Sequence, residues 1–107
     1  RFLPAKCQLP AGIACTDFRL NAGAATVQVV LRNGLGFDAT GVIVAVTGCT
    51  SPASQSIANG ANPVTFTATS CALTSGSKFN GDLNVTYTNA DSGLVHRVQG
   101  SITGRAE

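Results

Sequence analysis

The fold is decided by the alternating stretch Asp82-Leu83-Asn84-Val85-Thr86-Tyr87-Thr88. Leu83, Val85 and Tyr87 are large and apolar, and the residues between them are polar. Because a strand places successive side chains on opposite faces, this pattern predicts a strand with one buried and one exposed face. Residues 89–93, Asn-Ala-Asp-Ser-Gly, are typical of a tight turn, and residues 94–103 then predict a returning strand. Together these segments predict an antiparallel hairpin.

The same period-two pattern recurs along the chain. It predicts further short strands, separated by turns rich in Gly, Asn, Ser and Pro, at residues 17–21, 25–32, 40–47 and 64–69. Residues 48–62 are predicted to form a loop, and residues 78–81 a turn. Helical periodicity does not extend beyond two turns anywhere. Six or seven short strands predict one all-β domain over residues 1–107, an antiparallel β-sandwich with immunoglobulin-like connections.

The four cysteines form an even set in a small chain. They include no CxxC pair, which weighs against a structural zinc site. Four cysteines allow three connectivities, and the pairs Cys7–Cys15 and Cys49–Cys71 are favoured because each closes a local loop containing Gly, Pro or Ser. The first bridge would staple residues 1–15, which are predicted to form an irregular leading segment. Disulfides indicate an oxidising, extracellular compartment.

The composition and the single histidine narrow the function classes. Charged residues make up 11% of the chain, the net charge is +2, and the basic residues are scattered, so nucleic-acid binding is not predicted. His96 is the single histidine, and the chain contains no GxSxG motif that would supply a serine nucleophile. We therefore predict no catalytic residues, no cofactor and no enzymatic activity. His96 shares a strand face with Leu94 and Val98, where it is expected to be half-buried. Residues 89–93 resemble part of a calcium loop but lack its later acidic ligands, so no metal site is predicted.

Two surface features indicate possible partners or modification. The predicted strand at residues 40–47 is apolar on both faces. Its residues Ile43 and Ala45, with Val30 on the strand predicted to be its neighbour, need cover from loops of the same domain or from an external partner such as a helix. Asn84 begins the only N-glycosylation sequon, Asn-Val-Thr, and is predicted to face outward, where a glycan could be attached.

Five short motifs together carry a family resemblance. They are Cys7…Leu9-Pro10-x-Gly12-x-x-Cys15-x-Asp17, Leu31-Arg32-Asn33-Gly34-Leu35-Gly36, Thr86-Tyr87-Thr88, Gly93-Leu94-Val95-His96 and Gly100-Ser101-Ile102-Thr103-Gly104. Taken together, they resemble the C-terminal globular domain of archaeal type IV pilin-like proteins, the group that includes adhesive pilins and archaellins. The likeness covers the chain from about Cys7 to Glu107.

The resemblance implies a structural subunit of an extracellular archaeal filament, acting by assembly and surface adhesion. It also implies an apolar helix upstream of Arg1, through which copies of the chain would associate and which would contact the membrane only before assembly. The β-sandwich would pack on that helix. The alternative is a ligand- or carbohydrate-binding β-sandwich module of a larger secreted or cell-surface protein. Such modules usually present an aromatic platform, whereas most aromatic side chains here fall on predicted core positions.

Overall fold

The computed structural model describes residues 6–9 and 12–107, and this part of the chain is all-β, as the sequence predicts. Each strand pairs antiparallel with its neighbours, and the strands form two sheets. The strands are β1 (Lys6–Gln8), β2 (Ile13–Asn21), β3 (Thr26–Asn33), β4 (Ala39–Val46), β5 (Gln55–Ile57), β6 (Val64–Ala68), β7 (Lys78–Asn89) and β8 (Val95–Arg105).

The two sheets pack face to face as a sandwich. The five-stranded sheet has the order β1-β8-β7-β4-β5, and the three-stranded sheet has the order β2-β3-β6. The pairings β2–β3–β6 and β4–β7–β8 correspond to strands A–B–E and C–F–G of an immunoglobulin domain, and β1 is an additional strand that runs antiparallel to β8. The predicted antiparallel β-sandwich is therefore confirmed, and its strand order follows the immunoglobulin-like plan.

The core lies between the sheets and consists mainly of branched aliphatic side chains. In β3 and in most of β7, every second residue is buried, as the period-two alternation predicts. Burying one such side chain stabilises the fold by about 1.5–3 kcal/mol, so this set is the main source of stability. The largest side chains with almost no exposure are Phe66, Ile13, Leu31, Ile57, Leu83, Ile102, Val27, Val29, Val42, Val44 and Val85.

A β-bulge in β2 allows both ends of this strand to face the core. Ile13 and Cys15 point inward at odd-numbered positions, whereas Phe18 and Leu20 point inward at even-numbered positions. The register with β3 shifts between Cys15 and Asp17, so Thr16 is the additional residue. A bulge inserts one residue and so reverses the alternation, which places all four apolar side chains on one face.

A second bulge lies at Gly41 in β4. Ala39 and Val42 are both fully buried although they are three positions apart. The register shifts between these two residues against β5, and between Thr40 and Ile43 against β7. Gly41 has a φ of 56°, in the left-handed region that favours glycine. After the bulge the strand alternates regularly, and its even-numbered valines point inward as predicted.

Asn33, the last residue of β3, is the only fully buried polar side chain among the described residues. Its Nδ2 donates to the carbonyl oxygens of Phe37 at 2.9 Å and Ile57 at 2.8 Å, and its Oδ1 accepts from the backbone N–H of Leu35 at 2.8 Å. These bonds hold residues 34–38, which carry the chain from the three-stranded to the five-stranded sheet. They also attach β5 to this crossover, so the buried amide is compensated by its backbone partners.

Both predicted disulfides are present. Cys7–Cys15 joins β1 of the five-stranded sheet to β2 of the three-stranded sheet. Cys49–Cys71 joins the segment after β4 to the segment after β6, so it also connects the two sheets. None of the cysteines is free in this structure. The two bridges are compatible with an oxidising, extracellular environment.

Two segments are more regular than the sequence predicts. Residues 1–15, predicted to be irregular, contain β1 and the beginning of β2, while residues 1–5, 10 and 11 lie outside the described part of the chain. The predicted loop at residues 48–62 contains β5. Both strands are only three residues long, and their pairing with β8 and β4 stabilises them where the local sequence does not predict a strand.

The predicted turn at residues 78–81 is wrong because these residues begin β7. Gly81 is buried within the strand, and a Cβ atom there would lie 2.8 Å from the ring of Phe79 and 3.3 Å from the Cβ of Thr47. The glycine therefore permits a close side-chain approach inside a strand, a use that the sequence pattern does not distinguish from a turn.

We expect Asn33→Ala to lower the free energy of unfolding by about 2–4 kcal/mol, because it leaves the carbonyls of Phe37 and Ile57 and the N–H of Leu35 without partners. Asn59→Ala is a matched control, since the Oδ1 of Asn59 accepts one exposed bond from Gly36 in the same crossover. We expect it to cost less than about 1 kcal/mol. Denaturant unfolding with the disulfides intact measures both variants, and equal losses would contradict the assigned role of Asn33.

Candidate functional site

The first candidate surface is the outer face of the five-stranded sheet, formed by outward side chains of β4, β7 and β8. Ile43 on β4 is 43% exposed, although β4 is an inner strand whose opposite face is buried. Ala45 follows it on the same outward side and is half-buried. Around these two residues, the same outer face carries Thr40, Asn84, Thr86, Thr88, Val95, Arg97 and Gln99.

Polar neighbours limit the width of the apolar strip on β4. Ile43 pairs with Thr86 of β7, and Ala45 pairs with Asn84. Side chains directly opposite in an antiparallel pair have Cβ atoms about 4.5–5.5 Å apart, so each apolar side chain is beside a short polar one. The apolar strip is therefore one strand wide, and its neighbours on β7 are small enough for a partner to approach closely.

The sequon residue Asn84 lies in the middle of this outer face. It is half-buried on β7, between Ala45 on β4 and Gln99 on β8. A glycan attached to Asn84 would extend over Ala45 and its neighbour Ile43. Glycosylation of Asn84 and packing of a helix on Ile43 and Ala45 are therefore mutually exclusive.

Val30 does not belong to this outer face. It is half-buried on β3, the central strand of the three-stranded sheet, between Asp17 of β2 and Thr65 of β6. The prediction that Val30, Ile43 and Ala45 form one partner-packing face is therefore wrong. The physical reason is that the chain crosses between the sheets after β3, so β3 and β4 are consecutive in sequence without being paired.

The second candidate surface is the outer face of the three-stranded sheet. It carries a shallow depression of about 280 Å³, lined by Asp17, Phe18, Arg19, Gln28, Val30 and Thr65. This volume is slightly below the range of about 300–1,000 Å³ that is usual for small-molecule sites. An exposed ion pair between Arg19 and Glu107, at 3.4 Å, lies beside the depression and adds little stability because solvent screens it.

The aromatic side chains in the described part of the chain lie mainly in or against the core. Phe66 and Tyr87 are buried, and the other described phenylalanines are partly buried against the same core. Phe2 lies outside the described residues. Neither outer face therefore presents a described aromatic platform of the kind on which a sugar ring stacks.

His96 is exposed, so the expectation of a half-buried histidine is wrong. Its ring stacks on Tyr87 of β7, with ring centroids 5.6 Å apart and planes 29° apart. Leu94 and Val95, which precede it, are 61% and 68% exposed. No group of three or more His, Cys, Asp or Glu residues that could hold a metal ion occurs within the described residues.

Residues 89–93 form the predicted hairpin turn. The Oδ1 of Asn89 accepts from the backbone N–H groups of Asp91 at 2.8 Å and Ser92 at 3.2 Å. The backbone N–H of Gly93, which has a φ of 74°, donates to the carbonyl of Asn89 at 2.7 Å. The side chain that resembled a calcium ligand in the sequence is therefore occupied by the turn itself.

The alternating sequence did not reveal Leu94 as an exposed apolar residue. Leu94, His96 and Val98 have the spacing of a strand face that should be buried. That spacing gives no information about whether the opposite sheet extends far enough to cover the strand. Sheet order and burial were needed to show that the beginning of β8 extends beyond the core.

These features define the class of the protein as a small, disulfide-bonded antiparallel β-sandwich with a narrow apolar strip on one outer face. No family model, curated protein or solved structure matches the chain. In the part of the chain that the structure describes, no helix is long and apolar enough to span a membrane.

We expect Asn84 to carry no glycan in protein isolated from its source. Its side chain is half-buried in the middle of a five-stranded sheet, whereas occupied sequons usually lie in surface loops. Mass spectrometry of the peptide that contains Asn84 measures occupancy directly. A glycan mass on that peptide would contradict this prediction and would also show that Ala45 is not covered by a helix.

Proposed function

We propose that the protein is a structural subunit of an extracellular filament of the archaeal type IV pilin kind, acting by assembly and surface adhesion. The observation that carries the proposal is Ile43, a large apolar side chain 43% exposed on an inner strand of the five-stranded sheet. Covering such a side chain stabilises an assembly by the hydrophobic effect. A partner seated along β4 would bury Ile43 together with Ala45.

The occupant proposed for this strip is the apolar helix that the family resemblance implies. Ile43 and Ala45 are two residues apart on one strand, so they are separated by about 7 Å along β4. A helix about 10 Å wide would cover β4 and extend over Thr86 and Asn84 of β7. Their short side chains permit close packing, and this arrangement requires Asn84 to be unmodified.

The low charge supports a role in assembly. Charged residues make up 11% of the chain, against roughly 25% in an average soluble protein. A surface with few charges is poorly suited to a free monomer, since charged side chains normally hydrate the surface and keep a protein soluble. In a filament each subunit buries part of its lateral surface against its neighbours, so the same surface becomes an advantage. The two disulfides suit an extracellular position.

The second candidate function is a ligand-binding module. The observation that favours it is the depression on the outer face of the three-stranded sheet, where Arg19 and Gln28 supply polar groups beside Val30. Glycan-array binding by the domain, abolished by Arg19→Ala or Gln28→Ala, would support this candidate. The small volume of the depression and the core positions of most aromatic side chains favour the structural subunit instead.

We expect Ile43→Glu to prevent filament assembly in source cells that produce the full-length protein. The substitution places a charge under the proposed helix, where burying an unpaired carboxylate is strongly unfavourable. Thr65→Glu is the matched control, because Thr65 is also β-branched, exposed and outward-facing but lies on the other sheet, opposite Val30. Electron microscopy should show filaments for Thr65→Glu and roughly tenfold fewer for Ile43→Glu.

Circular dichroism and thermal unfolding of the two purified variants establish that both fold. Normal filaments from Ile43→Glu would contradict the proposed helix-packing face, and loss of filaments only with Thr65→Glu would assign the interface to the other sheet. Source cells in which antibody against the wild-type protein labels no filament would overturn the proposed function as a whole.

A further inference from the structure

In the described part of the chain, the first half of β8 has no pairing strand on the side away from β7. β7 pairs with β8 along its whole length, whereas β1 pairs with it at residues 101–103. At the end of β1, the backbone carbonyl of Gln8 lies against Gly100, and a Cβ atom at position 100 would clash with it. Among the described residues, no strand pairs with β8 on the β1 side between Val95 and Gly100. Such an edge is a template for another strand.

The edges of the three-stranded sheet are covered, at least in part, by other segments of the chain. On β2, the N–H of Glu107 donates to the carbonyl of Leu20 at 2.9 Å, and the N–H of Ala22 donates to the carbonyl of Glu107 at 3.0 Å. On β6, the carbonyl of Thr65 accepts from Nε2 of Gln55 at 3.1 Å. The open edge of β8 lacks such cover from the described residues.

The hairpin hydrogen bonds show which backbone groups face the open edge. The N–H of Asn89 donates to the carbonyl of Leu94 at 2.8 Å, so Leu94 directs its carbonyl to β7. Bonded and non-bonded pairs alternate in an antiparallel ladder, so His96 and Val98 also bond to β7. The odd-numbered residues, Val95 and Arg97 among them, direct their N–H and C=O groups to the open edge.

Exposed apolar side chains coincide with this edge. Leu94 and Val95 are 61% and 68% exposed, and the only other exposed large apolar side chain in the described part of the chain is Ile43. Exposed strand edges are normally protected by charged side chains, proline or bulges. Between Val95 and Gly100, Arg97 is the one charged side chain and there is no proline. Here an incoming strand would bury apolar area on both faces of the sheet and satisfy the backbone groups of Val95 and Arg97.

We propose that this edge pairs antiparallel with the same edge of a second copy of the chain. With a two-fold axis at His96, Leu94 lies opposite the partner's Val98, and Val95 lies opposite the partner's Arg97. Each of these pairs forms twice. The Leu94–Val98 pairs are apolar, the aliphatic stem of Arg97 packs on Val95, and the Val95–Arg97 pairs exchange four backbone hydrogen bonds. The edge is therefore complementary to itself, which favours a second copy over another partner.

Other registers of the same pairing are less favourable. An axis at Arg97 places two guanidinium groups directly opposite each other, and like charges at such positions are destabilising. An axis at Val95 pairs Leu94 with the partner's His96 and loses both Leu94–Val98 pairs. A shift of the register by one residue would pair odd-numbered residues with even-numbered residues of the partner. Inward-facing side chains of one copy would then lie beside outward-facing side chains of the other. The sequence of β8 thus selects the axis at His96.

This contact does not depend on the proposed function. An isologous pairing about a two-fold axis closes after two copies and does not propagate along a polar filament. It would join two free domains, or two subunits that belong to separate assemblies. The two proposals also use different strands of the five-stranded sheet, because Ile43 lies on β4 and the edge lies on β8, with β7 between them.

The experiment begins with the 107-residue chain in solution. One five-residue strand pair is smaller than a stable protein interface, so we expect a weak dimer, measured by sedimentation between about 10 µM and 1 mM. Amide hydrogen exchange followed by NMR should show Val95 and Arg97 becoming protected as concentration rises. His96 and Val98 should be protected at every concentration, because their N–H groups bond to β7.

Paired variants test the register. Val95→Glu places a carboxylate opposite the partner's Arg97 and should strengthen the dimer, whereas Val95→Lys should weaken it. Because each effect occurs twice, the dissociation constants should differ roughly tenfold between these two variants. Arg97→Pro removes an edge N–H and should abolish the dimer, while Arg97→Val retains that N–H and should preserve it. Circular dichroism establishes that each variant folds.

Three results would overturn the proposal. The first is a wild-type chain that stays monomeric at about 1 mM with Val95 and Arg97 still unprotected. The second is a dimer that the folded Arg97→Pro variant leaves intact. The third is tighter association of Val95→Lys than of Val95→Glu. This comparison tests the proposed register even when Arg97→Pro does not fold.

Discussion

The arrangement of the sheets depends on the hydrogen bonds of one buried carboxamide. Asn33 ends β3, and its side chain binds backbone groups of Leu35, Phe37 and Ile57. Without it, the crossover that takes the chain to the five-stranded sheet would have buried backbone groups without partners. Because β4 begins directly after this crossover, these hydrogen bonds hold the path by which the chain passes from β3 in one sheet to β4 in the other.

That crossover explains which part of the candidate surface could be predicted. Alternation assigns Ile43 and Ala45 to one side of β4 and Val30 to one side of β3, and both assignments agree with the structure. Alternation does not give the sheet to which a strand belongs. Consecutive strands are neighbours in about two-thirds of cases, so pairing β3 with β4 was the natural expectation. The deciding information is the set of bonds made by Asn33, which is invisible in a hydrophobic pattern.

The strands themselves could be predicted where the alternation is long and uninterrupted, as in β3 and the second half of β7. The pattern fails where one residue is added or where pairing comes from a distant segment. Thr16 and Gly41 reverse the alternation inside β2 and β4, so a reading with fixed period assigns one end of each strand to the wrong face. β1 and β5 are short, and they exist because β8 and β4 pair with them.

The register between β4 and β7 makes two hypotheses mutually exclusive: glycosylation of Asn84, and packing of a helix on Ile43 and Ala45. The sequon at Asn84 and the apolar pair Ile43–Ala45 are about forty residues apart in sequence, and nothing in the sequence relates them. The register places Asn84 directly opposite Ala45, at a separation of about 5 Å between Cβ atoms. A bulky glycan and a packed helix cannot both occupy that space. Whether Asn84 is modified therefore determines whether this outer face is a solvated, glycan-covered surface or an assembly surface.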